Sequence, residues 1–424
     1  MKVVTDLICD TPLPRMAKVR QSFDRTCIPA ERVRETVLAE LGRDAIASRV
    51  KPGMTVAVTC GSRGIHHVAV MAKAIVDFLK EKGAKPFITA AMGSHGGATA
   101  EGQLQILTDY GITEAAMGCP VKSSMEVVEI ARTPAGLPVM MDKNAAEADG
   151  VLLFNRIKPH TSFRGVYESG LMKMMAIGLG KQAGAEAIHG QSPAVMKDLV
   201  PLYGKAMLEH KNILGGLAVV ENAYDEPYII RGLTAEEIIT EEPKLKEVSY
   251  RTIARLLFDR CDVLVVDRIG KNISGDGMDP NVTGRFCTEY ASGGIEAERV
   301  VALGLTRETH GNAQGCGLAD VTTRRLFDEM KMEMTYPTAV TNTFLNLMKI
   351  PMVMDNDREA IQLAVKSCHG IGPEGPRIIR IPNTAEIEEI EVSEAMLAEV
   401  SQNPALTQVS DLYELPFNDM GNLW

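Results

Sequence analysis

TVAVTCGSRGIHHVAVMAKAIVDFLKEKGAKPFITAAMGSHGG, residues 55–97, decides the fold class. TVAVTC (55–60) is a short apolar run that stops at GSRGI, as a buried strand does. HHVAVMAKAIVDFLKEKG (66–83) has helical periodicity and closes on a glycine, and PFITAAM (86–92) is a second strand that breaks at GSHGG. Strand, loop, helix and strand in that order predict parallel strands joined by right-handed crossovers. Helix-like AEGQLQILTDYG (100–111), which Thr99 is placed to cap, and the apolar strand GVLLFNRI (150–157) extend the pattern. It restarts with a helix at SYRTIARLLFDR (249–260), a strand at CDVLVVDRIG (261–270), and further α/β signals at 293–306 and 325–348. The expectation is an α/β protein of two α/β domains with mainly parallel sheets. A boundary after the polar TEEPKLKEVS divides 1–250 from 251–424, and the irregular tail 395–424 is expected to pack back on the first domain.

Composition narrows the function. The chain has 424 residues, 45% hydrophobic and 24% charged, with a formal net charge of −10. These values fit an ordinary soluble protein long enough for two cores. No basic stripe offsets the negative charge, which argues against a nucleic-acid or acidic-membrane partner but allows a local cationic pocket for a small anion. Eight scattered cysteines include no CxxC pair, and no apolar run approaches a membrane span. The first residues carry no basic leader, so a cytoplasmic protein with reduced thiols is expected.

Arg63, His95 and His160 each follow the carboxyl end of an expected strand, where parallel sheets gather ligands. An arginine between glycines suits a carboxylate or phosphate. A single loop histidine is usually bonded to nearby backbone, but two from one sheet can converge as acid and base. Lys173, among methionines in ESGLMKMMAIGLG, is either a snorkelling lysine or a desolvated amine able to act as nucleophile or cofactor anchor. In IGLGKQAG (177–184), Gly178, Gly180 and Gly184 are spaced unlike a dinucleotide or triphosphate loop. A glycine turn opening a helix still offers N–H groups to an anion, with Lys181 adding charge. His189, near that helix's end, is structural or ligates a metal. SGDGMDPN (274–281) lacks the ligand ladder of a calcium loop and is read as a turn.

GSRGI (61–65), MGSHGGATAEG (92–102), KPHTSFRG (158–165), ESGLMKM (168–174) and the histidine at 189 occur in one order. In these segments the chain resembles the nickel-dependent lactate racemase family. The resemblance implies two α/β domains with the active site in the cleft between them. It also implies a nickel-pincer nucleotide, a pyridinium-3,5-bisthiocarboxylic acid mononucleotide, attached to a lysine through a thioamide. By motif, Lys173 corresponds to the attachment lysine and His189 to the nickel ligand. His95 and His160 correspond to the catalytic bases and Arg63 to a substrate-pocket arginine. Gly178, Gly180 and Lys181 join Lys173 as the expected cofactor-binding set. The implied reaction is inversion of C2 of a 2-hydroxy acid by hydride transfer, which needs a cofactor because no side chain accepts hydride. The implied partners are a small anionic 2-hydroxy acid and cofactor maturation proteins; the sequence leaves the oligomeric state open.

Departures from the family concern the substrate. Cys60 stands where an aspartate is usual, and Gly96 follows His95 where arginine is common. SGDGMDPNVTGR replaces the usual second-domain substrate segment, leaving Lys271 or Arg285 as the candidate cation. The polar residues of 274–281 suit extra hydroxyls, so the reading leans from lactate towards an aldonate such as D-gluconate. Two alternatives have distinct signatures. An NAD-dependent dehydrogenase using GLGKQAG consumes soluble NAD and yields free keto acid. A non-catalytic nickel- or anion-binding protein binds nickel without a Lys173 adduct.

Overall fold

The computed structural model describes residues 2–424, which divide into two compact units, one of Asp24–Ile253 and one of residues 2–23 with 254–424. In the first unit a six-stranded sheet runs in the order Val121–Lys122, Lys85–Ala90, Thr55–Cys60, Gly150–Arg156, Ile213–Glu221, Pro227–Leu233. Neighbouring strands are parallel except the last pair, Ile213–Glu221 with Pro227–Leu233, which is antiparallel. Numbered along the chain, without the hairpin Val127–Arg132/Pro138–Asp142, the order is 3-2-1-4-5-6, a doubly wound sheet. The strand order reverses between Thr55–Cys60 and Gly150–Arg156. The strands just beyond those ends open into GSRGI and KPHTSF.

Alternation along the strands explains the layers. Val56, Val58 and Cys60 point into one core with the helix Val68–Glu81, while Ala57, Val151 and Leu153 point into the other with Met172, Met175 and Tyr203. All nine residues of Ile213–Glu221 are buried, as befits an interior strand. Cys60 is therefore a core thiol, and burial, followed by the nearby Cys119, pushes its pKa up to about 12. It supplies no charge where the family resemblance would place an aspartate.

The second unit is an eight-stranded mixed sheet in the order Met352–Met354, Val321–Thr323, Glu296–Leu305, Arg260–Ile269, Ile378–Ile381, Glu389–Ser393, Met16–Gln21, Leu406–Gln408. The first five strands are parallel and the last three antiparallel to their neighbours. Residues 1–23 were expected in the first domain, yet Met16–Gln21 lies between two C-terminal strands, paired with both. Its Met16, Ala17 and Val19 side chains are fully buried, so its apolar face is satisfied only there. The tail is likewise expected elsewhere than where it lies. Leu406–Gln408 joins this sheet, Tyr413 exchanges backbone hydrogen bonds with Met16, and Trp424 sits against Arg325. Among the described residues, no helix is long and apolar enough to cross a membrane.

Candidate active site

The loop after Gly150–Arg156 brings His160 to Lys173, with His189 near enough to influence both. His160, four residues past Gly150–Arg156, is hydrogen-bonded through Nε2 to the Lys173 amine. Its Nδ1 accepts the Ser162 N–H at 3.1 Å, and Phe163 lies at 4.4 Å between ring centroids. Burial, then the charges of Lys173 and His189, hold the His160 pKa well below its usual value. The His189 pKa is lowered to about 4 by the same two influences, burial first and then Lys173. The three groups thus feel one another, and both imidazoles are held in the neutral form near pH 7.

Lys173 ends the short helix Leu171–Lys173, which continues as a wider turn through Met174–Gly178 into the helix Lys181–His189. The Glu242 carboxylate caps its start, accepting the Met172 N–H at 3.0 Å; burial raises that carboxyl's pKa to about 8 despite the backbone donors. Gly170 is required there, because a Cβ would lie 2.1 Å from Glu242 Oε1. The His160 loop is held by a second buried carboxylate, Glu168. It accepts the His160 N–H at 2.8 Å and the Tyr250 hydroxyl at 2.8 and 2.9 Å, with Lys246 at 3.5 Å. Glu242, Lys246 and Tyr250 recur every four residues on one face of the helix Ala235–Thr252, so a single helix anchors both ends of the segment.

His95 comes from the neighbouring strand. Its Nδ1 is hydrogen-bonded to the Ser62 hydroxyl, and Tyr110 donates to the Ser62 carbonyl at 2.9 Å. Arg63 follows Ser62; burial raises the Tyr110 pKa, and the charges of Arg63 and Arg156 oppose that rise. Arg156 is bonded to the buried Glu221. Gly61 approaches Met174, where a Cβ would come within 3.3 Å of its methyl carbon, and the Gly93 N–H donates to the Gly178 carbonyl at 3.1 Å. Thr99 caps the helix Ala100–Asp109, accepting the Gly102 N–H at 3.0 Å.

The glycine turn differs from its sequence reading. Gly178 and Gly180 are buried, and a Cβ would lie 2.8 Å from the Ala91 carbonyl oxygen at the first and 3.0 Å from that of Ala176 at the second. Their role is close backbone packing rather than approach to an anion. Lys181 is wholly buried, with its amine directed at Asp142, Gln103 and the Ala90 carbonyl, so it presents no charge to a cofactor. The dehydrogenase reading loses its phosphate loop with them.

In the other unit, Arg285 donates to the Ala297 and Glu298 carbonyls and to Asp320 at 2.9 Å. Those partners lie at the amino ends of parallel strands, opposite the end where such sheets gather ligands, so Arg285 braces the sheet. Lys271 follows the carboxyl end of Arg260–Ile269, its amine bonded to the Gly275 carbonyl at 2.6 Å and Gln314 at 2.9 Å. Ser274, Asp276 and Asn281 are buried in their own loop. An open cavity of about 780 Å3 in this unit is lined by Arg260, Glu296, Glu298 and Arg377, again at the amino ends of strands.

Residues 12–197 match the family model of the lactate racemase N-terminal domain. This match supports a place in the lactate racemase family, and with it an isomerase. The fold agrees. The lactate racemase apoprotein of Thermoanaerobacterium thermosaccharolyticum superposes with a TM-score of 0.52 at 14% identity, over 87% of this chain and 99% of that one. None of the curated proteins compared matches the sequence. The lactate racemase resemblance does not itself point to Ser62, Gln103, Glu168, Glu242 or Tyr250. The four-residue spacing of Glu242, Lys246 and Tyr250 is the one sequence signal that marks part of this support.

Proposed function

We propose that the protein is a 2-hydroxy acid racemase or epimerase that inverts C2, with His95 and His160 as its proton-transfer residues. The observation that carries this reading is the His160–Lys173 contact, electrostatically coupled to His189, beyond the strand where the sheet's strand order reverses. Among the described residues no three His, Cys, Asp or Glu side chains gather to hold a metal unaided. A metal at His189 would therefore take its other ligands from a bound group, which fits a nickel-pincer nucleotide tethered at Lys173. When bound, that group would supply the hydride acceptor that protein side chains lack.

The chain's own residues supply the rest. The neutral His189 ring has a lone pair for the metal, and the Lys173 amine is the point of attachment. Arg63 is suited to the substrate carboxylate, clamping it in a bidentate fork. His95, its Nδ1 occupied by Ser62, exchanges the hydroxyl proton through Nε2, and His160 does so for the other enantiomer. A pair of bases is what inversion in both directions requires. The substrate lean is to a polyhydroxylated acid such as gluconate, resting on the departures at Cys60, Gly96 and 274–281. A short acid such as lactate is the other arm of the test.

Protein co-expressed with cofactor maturation proteins is expected to carry a mass adduct on Lys173 and to invert C2 of at least one acid in a lactate-to-gluconate panel. His95→Gln and His160→Gln should each lower kcat at least about 100-fold, within the range of lost acid–base catalysis. Adduct-bearing protein that leaves every C2 centre unchanged, or that consumes soluble NAD, would refute the proposal. Inversion of lactate alone would remove the aldonate lean.

A further inference from the structure

Lys181 opens the helix that carries His189, and it is an unlikely residue for that place. Its side chain has 0% exposure, and its backbone lies in the left-handed region with φ 55°. Glycine would take this φ without strain, and an apolar side chain would avoid burying an ionisable group. The amine is used fully: it donates to the Ala90 carbonyl and to Gln103 Oε1 at 3.0 Å, and it pairs with Asp142 at 3.5 Å. Asp142 is equally buried and accepts from Thr89 at 3.3 Å and the Ala145 N–H at 2.9 Å.

Gln103 turns that grip into a clamp. Its oxygen faces the lysine, so its amide nitrogen faces the other way, donating to the Gly93 carbonyl at 2.9 Å and the His95 carbonyl at 3.1 Å. A flipped amide would set oxygen against two carbonyls and nitrogen against an amine, so the lysine fixes the orientation. The loop it holds contains Gly93, Gly96 and Gly97, all at positive φ, and has little conformational preference of its own. We propose that Lys181 and Gln103 are positioning residues that hold His95 in register with the Lys173–His189 segment. The inference rests on the reading of His95 as a proton-transfer residue, and it adds the groups that place it.

In the loaded enzyme, Gln103→Leu is expected to lower kcat for C2 inversion about 10- to 100-fold with KM changed less than about threefold, the signature of a misplaced catalytic group. Lys181→Met alone leaves a buried carboxylate and should lower Tm. Adding Asp142→Asn removes that charge while keeping an oxygen for Ala145, so Tm should recover but kcat should stay depressed. If kcat recovers together with Tm, the lysine is merely structural and the proposal is overturned. A readout without cofactor is histidine-selective NMR of the unloaded protein, with His95 assigned by its loss in His95→Gln. Gln103→Leu should shift or broaden the His95 ring signals and spare those of His160 and His189; unmoved His95 signals overturn the proposal. If His95→Gln keeps full activity while Gln103→Leu displaces the His95 signals, the clamp stands and the base assignment fails.

Discussion

His160 has both ring nitrogens engaged, one with the Ser162 N–H and one with Lys173. A ring so enclosed, and His189 beside it, resists protonation, and this has a consequence for stability. Unfolded histidine takes up a proton below about pH 6.5, whereas folded His189 waits until about pH 4. Between those values the unfolded chain binds more protons, so stability falls as pH falls. The raised carboxyl of Glu242 works in the opposite sense, favouring the fold as pH drops from about 8. Comparing wild type with His189→Gln cancels that term. The stability difference between them should vary with pH by up to about 1.4 kcal/mol per unit between pH 4 and 6.5, partial exposure of the ring making this an upper value. Urea unfolding of unloaded protein across that range checks it, and a pH-independent difference would rule it out.

At the scale of elements, the site depends on how loops seat on helices. Gly102 lies within the helix Ala100–Asp109, where alanine ordinarily gains about 1 kcal/mol. Here a Cβ would stand 2.0 Å from the Gly96 carbonyl oxygen and 2.9 Å from the Thr99 hydroxyl that caps the helix. Gly102→Ala is therefore expected to destabilise by about 1–3 kcal/mol, as overpacking does, and to displace the His95 loop. Thermal melts of the variant measure this, and a raised Tm would show that the loop gives way freely. Residue periodicity made the helix legible and Thr99 legible as its cap. The loop seated on that helix was not, because the contact between positions 96 and 102 follows from three glycines in left-handed conformations rather than from any residue pattern.

At the scale of the whole molecule, the chain begins in one unit, builds the other, and returns. The strand Met16–Gln21 is interior to the C-terminal sheet, paired on both sides. Deleting residues 1–23 is expected to expose two strand edges there and lower the stability of that unit, while a 24–253 fragment, with its own sheet and two cores, should fold cooperatively. Circular dichroism melts of the fragment and of the truncated chain separate these outcomes. A fragment without a cooperative transition would show that this unit cannot form alone.

The sequence by itself determined the α/β class and the parallel crossovers, since hydrophobic periodicity and glycine breaks are local properties. It also placed Arg63, His95 and His160 after strands, and the family resemblance implied a shared site for Lys173 and His189. Tertiary structure alone decided that Lys181 is a buried clamp, that Arg285 braces a sheet, and that the first strand belongs to the last domain. The physical reason is shared by all three. A charged side chain or a short strand is defined by its distant partners, and those partners are brought near only when the chain has folded.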